Sequence, residues 1–132
     1  MASHNPRMLI TAGPTFEPID EVRFIGNRSS GRMGMALARE SAKRGWETTL
    51  LLGPGCQPAT DQMSIFRFQT AAQLKQLMDQ HWPNHDILIM AAAVSDYAPA
   101  KTIPGKQPRE SGPLTLELKP TSDLLAETTA SS

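Results

Sequence analysis

Residues 87–94 read ILIMAAAV, eight apolar positions in succession between the turn-prone HWPNHD and the polar SDYAP. A run of strand length with no polar alternation fits a strand buried on both faces. The expectation is a central parallel strand covered by helices on either side. Just upstream, Thr70 with Gln73 three positions later forms a capping box, and Leu74, Leu77 and Met78 supply the apolar face of the helix it opens. A weaker strand is expected over 64–68 and a stronger one over 47–52, the latter stopped by Gly53 and Pro54.

Further towards the N-terminus, residues 31–43 turn helical. Gly34, Ala38 and Ala42 recur at four-residue intervals with Met33, Met35 and Leu37 beside them, so this helix can pack closely on a sheet. Lys43 and Arg44 suit its negative end and Gly45 its C-terminal cap. Residues 8–12, closed by Gly13 and Pro14, read as a first buried strand. Downstream, residues 99–113 carry four prolines and two glycines and are expected to form a mobile loop. Leu114, Leu116 and Leu118 then alternate with polar residues as in a strand with one exposed face, and Thr121 or Ser122 opens a last helix through Leu124 and Leu125. Such strand and helix alternation implies a Rossmann-like, doubly wound α/β fold: a mostly parallel sheet in a three-layer αβα sandwich, forming a single domain over 1–132.

Thirteen basic residues balance thirteen acidic ones, which removes the electrostatic case for nucleic acid or an anionic membrane. Phosphate binding, if present, is local. The single cysteine, Cys56, forms no internal disulfide, reads as a loop thiol and fits a reducing compartment. With neither a signal peptide nor an apolar span in view, the cytoplasm is the expected location. His4, His81 and His85 fall near the terminus or in a Trp-Pro-Asn turn and are expected to be solvated.

In a doubly wound sheet, ligands sit at the carboxyl ends of the strands. Three loops leave those ends: 13–23, the NRSSGRMG segment over 27–34, and Ser95, Asp96 and Tyr97. Ser29, Ser30 and Gly31 directly precede a helix, where free amides, the helix dipole and two hydroxyls favour a phosphate, and Arg23, Arg28 and Arg32 crowd the same segment. A plain serine N-cap is the ordinary alternative. Neither G-x-G-x-x-G after the first strand nor G-x-x-x-x-G-K-[ST] is present, which counts against standard dinucleotide and P-loop chemistry.

The segments TAGPTFEPIDEVRFIGNRSSGRMG and AAAVSDYAP, followed by PLTLELKPTSDLLAE, resemble the signature regions of the phosphopantothenoylcysteine synthetase domain, often fused in bacteria behind a flavin-dependent decarboxylase. The resemblance runs from about Met8 to Glu127. It implies ligation of cysteine to 4′-phosphopantothenate through an acyl-cytidylate, with CTP and magnesium as co-substrate and no FMN in this chain. It implies Asn27 at the acyl-cytidylate, Arg23 as an arginine needed for activity, and Lys106 on the phosphates. Gly13, Ser29, Ser30, Gly31 and Gly34 would line the phosphate turn, Ala92 and Ala93 would carry the nucleotide, and Asp96 would meet the nucleotide or its metal.

Taken alone, these residues have plainer readings: a turn asparagine, a charge-paired arginine, core alanines, a capping aspartate and a solvated loop lysine. The sequence has GKQPRE where the family carries further lysines, with Pro108 in place of one and Arg109 keeping a charge. The family domain continues through further strands, so the resemblance implies a C-terminally incomplete domain, with a homodimer or a separate decarboxylase subunit as possible partners. A non-catalytic nucleotide-binding module and an NAD(P)-dependent oxidoreductase are the alternatives.

Overall fold

A computed structural model describes residues 5–58, 62–106, 109 and 112–130; His4 and Pro108 lie outside them. In chain order the elements are β1 (Met8–Ala12), β2 (Glu17–Pro18), β3 (Phe24–Ile25), α1 (Arg32–Lys43), β4 (Thr48–Leu52), β5 (Ser64–Arg67), α2 (Ala71–His81), a 3-10 turn (Trp82–Asn84), β6 (Ile87–Met90), β7 (Tyr97–Pro99), β8 (Leu118–Pro120) and α3 (Leu124–Ala130). β1, β4, β5 and β6 form one all-parallel sheet in the order β5-β4-β1-β6. The chain winds outward from β1 to β4 and β5, then returns past β1 to β6. That reversal leaves a crevice between the carboxyl ends of β1 and β6.

Side-chain alternation divides the core into two layers. Met8, Ile10, Ala12, Leu50 and Leu52 face α1 through Ala38, while Leu9 and Leu51 face α2 and α3 through Leu74, Met78 and Leu124. Helix α1 lies close to β1 because Gly34 has no side chain: a Cβ there would meet Ala12 Cβ and come within 2.9 Å of the Thr11 carbonyl oxygen. Its end follows expectation, since Gly45 at φ 76° closes it by donating its N–H to the Ala42 carbonyl. The capping box of α2 is also formed, with the Gln73 N–H on Thr70 Oγ1 at 3.1 Å and the Thr70 N–H on Gln73 Oε1 at 3.2 Å.

The run at 87–94 departs from its expected place. Only Ile87–Met90 is strand, and among the described residues its one neighbour in the sheet is β1, with Ile87 42% exposed. The central strands are β1 and β4, every residue of which is buried. Apolar composition reports how well a strand can be covered, whereas its place in the sheet is set by the crossovers. The regular ladder stops at Met90, beyond which Gly13 bends the neighbouring chain at φ 92° and the pairing resumes only as a single bridge between Pro14 and Ala93.

The segment after 113 also differs. Strand β8 covers only Leu118–Pro120 and pairs antiparallel with β7, Ala98 opposite Lys119, while Leu114 is 60% exposed. The leucine alternation has no sheet to bury against in this two-stranded ribbon. Nor does Thr121 or Ser122 cap α3: Asp123 Oδ1 accepts the Ala126 N–H at 3.1 Å, and the Thr121 hydroxyl donates to the Ser95 carbonyl at 2.6 Å.

His81 and His85 are not solvated as expected. His85 engages both ring nitrogens, Nδ1 with the His81 carbonyl at 2.6 Å and Nε2 with Thr49 Oγ1 at 2.8 Å. His81 is half-buried against Phe66, ring centroids 4.3 Å apart. Burial, aided by the neighbouring His85, pushes its pKa below the usual histidine value.

Candidate nucleotide site at the switch point

Three loops meet where β1 and β6 end. The Ala93 N–H donates to the Gly13 carbonyl at 2.8 Å and the Thr15 N–H to the Ala93 carbonyl at 3.2 Å. Thr15 Oγ1 accepts the Ser95 N–H at 2.9 Å, so the loops after β1 and β6 are stitched together. Asn27 joins the third loop to them by donating from Nδ2 to the Ala93 carbonyl at 2.7 Å, while its Oδ1 accepts the Ser29 N–H at 3.0 Å. Gly13, Asn27, Ser29 and Ala93 are thereby brought together.

The turn ahead of α1 is built as an open end. Gly31, at φ 74°, is the residue before the helix, and no side chain caps it. Ser29 Oγ accepts the Gly31 N–H at 3.3 Å and Ser30 Oγ the Arg32 N–H at 3.4 Å, so each hydroxyl keeps its own hydrogen to donate. The amides of Met33 and Gly34 fall in the first turn, where no intrahelical carbonyl is in reach. Arg28 and Arg32 are exposed, and neither has an ion pair among the described residues. Together these groups supply donors and positive potential to an anion. Gly34 also serves the close approach of α1 to β1 that its spacing with Ala38 and Ala42 announced.

The remaining expected residues lie apart from this turn. Ala92 and Asp96 open instead onto a cavity of about 430 Å³ lined by Met90, Val94, Ser95 and the α3 entrance from Thr121 to Leu125. Ala92 and Val94 pack with the α2 and α3 core, so consecutive alanines serve opposite sides of the crevice. Arg23 belongs to the β2–β3 hairpin, its Nε 3.8 Å from the buried carboxylate of Asp20. Lys106 is exposed and follows Gly105, whose carbonyl accepts the Glu21 N–H at 3.0 Å, which places it beside that hairpin. The hairpin itself went unread because two-residue strands have no period. Its turn is held by Asp20 Oδ1, which accepts the Val22 and Arg23 amides at 2.8 and 2.7 Å.

Residues 3–132 match the DNA/pantothenate metabolism flavoprotein C-terminal domain. The chain belongs to this family. Among curated relatives it is 46% identical over 122 residues to a cysteine/cysteine sulfinic acid decarboxylase of an unknown prokaryotic organism, covering 92% of this chain and 34% of that protein. It is 44% identical over 124 residues to the coenzyme A biosynthesis bifunctional protein CoaBC of Mycobacterium bovis, covering 91% of this chain and 29% of that one. The chain thus spans about a third of the length of these relatives.

Among solved structures, the C-terminal domain of a CoaBC protein superposes with a TM-score of 0.78 at 36% identity, covering 92% of this chain and 57% of that one. The DNA/pantothenate metabolism flavoprotein from Streptococcus pneumoniae gives 0.83 at 23% identity, covering 95% of this chain and 64% of that one, a likeness of fold. Within this flavoprotein C-terminal family fold, sequence reasoning missed the hydroxyl of Thr15 and the cap at Asp123, and it read Thr121 only as a helix opener. Thr15 and Thr121 act through single hydroxyl contacts between distant loops, which no local pattern announces.

Proposed function

We propose that this chain carries the nucleotide-binding part of a ligase of coenzyme A biosynthesis, acting on 4′-phosphopantothenate, cysteine and CTP in the cytoplasm. The observation that carries this reading is the hydrogen bond from Asn27 to Ala93, which closes the crevice at the strand-order reversal with the open N-terminus of α1 beside it. The 44% identity to the M. bovis CoaBC protein supports the pathway. A solved Cab2 mutant in complex with phosphopantothenate-cysteine shares the fold, with a TM-score of 0.78 at 20% identity, covering 96% of this chain and 60% of that one.

In this reading the triphosphate rests against Ser29, Ser30 and the first amides of α1. A carboxylate oxygen of phosphopantothenate attacks the α-phosphorus, and the bond to pyrophosphate breaks. The cysteine amine then attacks the acyl carbon, releases CMP and loses a proton. Asn27 has a second Nδ2 hydrogen beyond the one given to Ala93, and it would donate this to the acyl oxygen as charge builds. Arg23 and Lys106 would close over the phosphates from the hairpin side. Catalysis of this kind rests on positioning and charge stabilisation.

Among the described residues no group of three His, Cys, Asp or Glu side chains is placed to hold a metal. Asp96 and Asp123 line one cavity, and two carboxylates suit a magnesium ion that arrives on a triphosphate and keeps several waters. Magnesium would supply neutralisation of phosphate charge, and those carboxylates would hold it.

A non-catalytic nucleotide-binding module is the second reading, since a fold does not fix an activity. Differential thermal stability tests the proposal. CTP with magnesium should raise the melting temperature more than NADP at equal concentration, a saturating ligand at 100 times its Kd adding about 2.7 kcal/mol. A larger response to NADP overturns it in favour of an oxidoreductase. Binding without turnover selects the second reading.

A further inference from the structure

We propose that Arg67 is a positioning residue that fixes the phosphate turn from outside the site, by holding the loop after β4 beneath it. Arg67 is the last residue of β5 and its Nη1 donates to two carbonyls of that loop, Cys56 at 2.8 Å and Gly53 at 3.3 Å. Among the described residues its charge meets no carboxylate within ion-pair distance, so these are charge-assisted bonds to carbonyl oxygen alone.

What the loop holds in turn is the site. Cys56 is 3% exposed, and its Sγ donates to the Ser30 carbonyl at 3.2 Å. The same sulfur fills the space where side chains at Gly13 and Gly31 would otherwise be: a Cβ on either glycine would approach it to 3.0 and 2.9 Å. Both glycines have left-handed backbones, at φ 92° and 74°, so their conformations suit close approach and the sulfur sets its limit. Burial pushes the Cys56 thiol up, opposed in part by Arg67, so it retains the proton it donates. A contiguous chain therefore runs from Arg67 through Gly53 and Cys56 to Gly13, Ser30 and Gly31. Arg67 touches none of the groups assigned to nucleotide.

The inference rests on the reading of the 29–34 turn as a phosphate site, and two independent readouts separate its failure from the failure of that reading. The first is alkylation of Cys56, the sole thiol, by iodoacetamide. The second is the affinity for CTP with magnesium, by titration calorimetry. Arg67→Met and Arg67→Lys are compared with Leu77→Ala, which loosens the opposite core layer.

Well below each melting temperature, Arg67→Met should alkylate roughly tenfold faster, the low end of what a hydrogen bond to a charged group is worth. It should also bind CTP about tenfold more weakly. Arg67→Lys, which keeps the charge and can reach one carbonyl, should recover part of both effects and carries the test if Arg67→Met does not fold. Leu77→Ala should change neither at matched stability. Equal acceleration in Leu77→Ala, or rapid alkylation with unchanged CTP affinity, overturns the proposal. If the unsubstituted chain does not bind CTP, the nucleotide reading fails, while the alkylation rates still decide whether Arg67 holds the loop beneath the turn.

Discussion

Asn27 and Ala93 stand 66 positions apart in the chain and meet through a 2.7 Å hydrogen bond from Nδ2 to the carbonyl oxygen. The bond spans the point at which the strand order reverses, so one amide links the turn ahead of α1 to the end of β6. Asn27→Asp removes that donor and sets a carboxylate against a carbonyl. Acyl-cytidylate formation should fall by about 2 to 4 kcal/mol of transition-state stabilisation. CTP affinity should fall much less, and the pair of measurements is single-turnover product formation against titration calorimetry. Equal loss in both would make Asn27 a loop tie without a share in the chemistry.

Gly34→Ala should destabilise the fold by about 1–3 kcal/mol through overpacking, although alanine is the better helix former by about 1 kcal/mol. The added Cβ has the Thr11 carbonyl oxygen within 2.9 Å and Ala12 Cβ against it, and both belong to β1 at the centre of the sheet. Helix α1 must then move off the sheet and carry the serine turn with it. Urea titration gives the stability, and CTP affinity should decline in the same variant.

Thr70→Ala separates stability from site. It removes half of the α2 capping box and should cost about 1 kcal/mol by urea unfolding. CTP affinity should stay unchanged, because α2 packs on the face of the sheet opposite α1 and the Thr70 hydroxyl bonds to Gln73 of its own helix.

The fold was legible where pattern and local chemistry agree. Met8–Ala12 was read to the residue, and the Thr70 and Gln73 box sat where its spacing put it. The strand over 87–94 was found but drawn too long, since only Ile87–Met90 keeps the ladder with β1 and among the described strands it has no second neighbour. Leu114 and Leu116 gave a period-two signal with nothing to pack against. In the candidate site, the open turn ahead of α1 could be located from Ser29, Ser30 and Gly31 since it is contiguous. Thr15 and Thr121 act across the fold through single hydroxyl contacts and Arg67 through two carbonyls of a distant loop, and their neighbours in sequence say nothing of them.

His81 gives the chain a pH dependence of known sign. Its folded pKa lies below the ordinary value of 6.5, chiefly through burial, so the unfolded chain binds the proton first as pH falls. This contribution to stability is intact above 6.5 and is lost as pH drops below it towards the folded pKa. His81→Phe keeps an aromatic ring beside Phe66 and cannot titrate. Its melting temperature should change less between pH 7 and pH 5 than that of the unsubstituted chain, and an equal slope in both would assign the effect to other groups.

Pyrophosphate release tests the central claim most directly. The chain, or the longer protein that carries it, is mixed with CTP, magnesium and 4′-phosphopantothenate, first without cysteine and then with it. The account predicts pyrophosphate that depends on phosphopantothenate before any cysteine is present, followed by CMP and phosphopantothenoylcysteine once cysteine is added. Pyrophosphate that appears only with cysteine would contradict the acyl-cytidylate route, and a longer protein that binds CTP yet releases none under either condition would contradict the ligase itself.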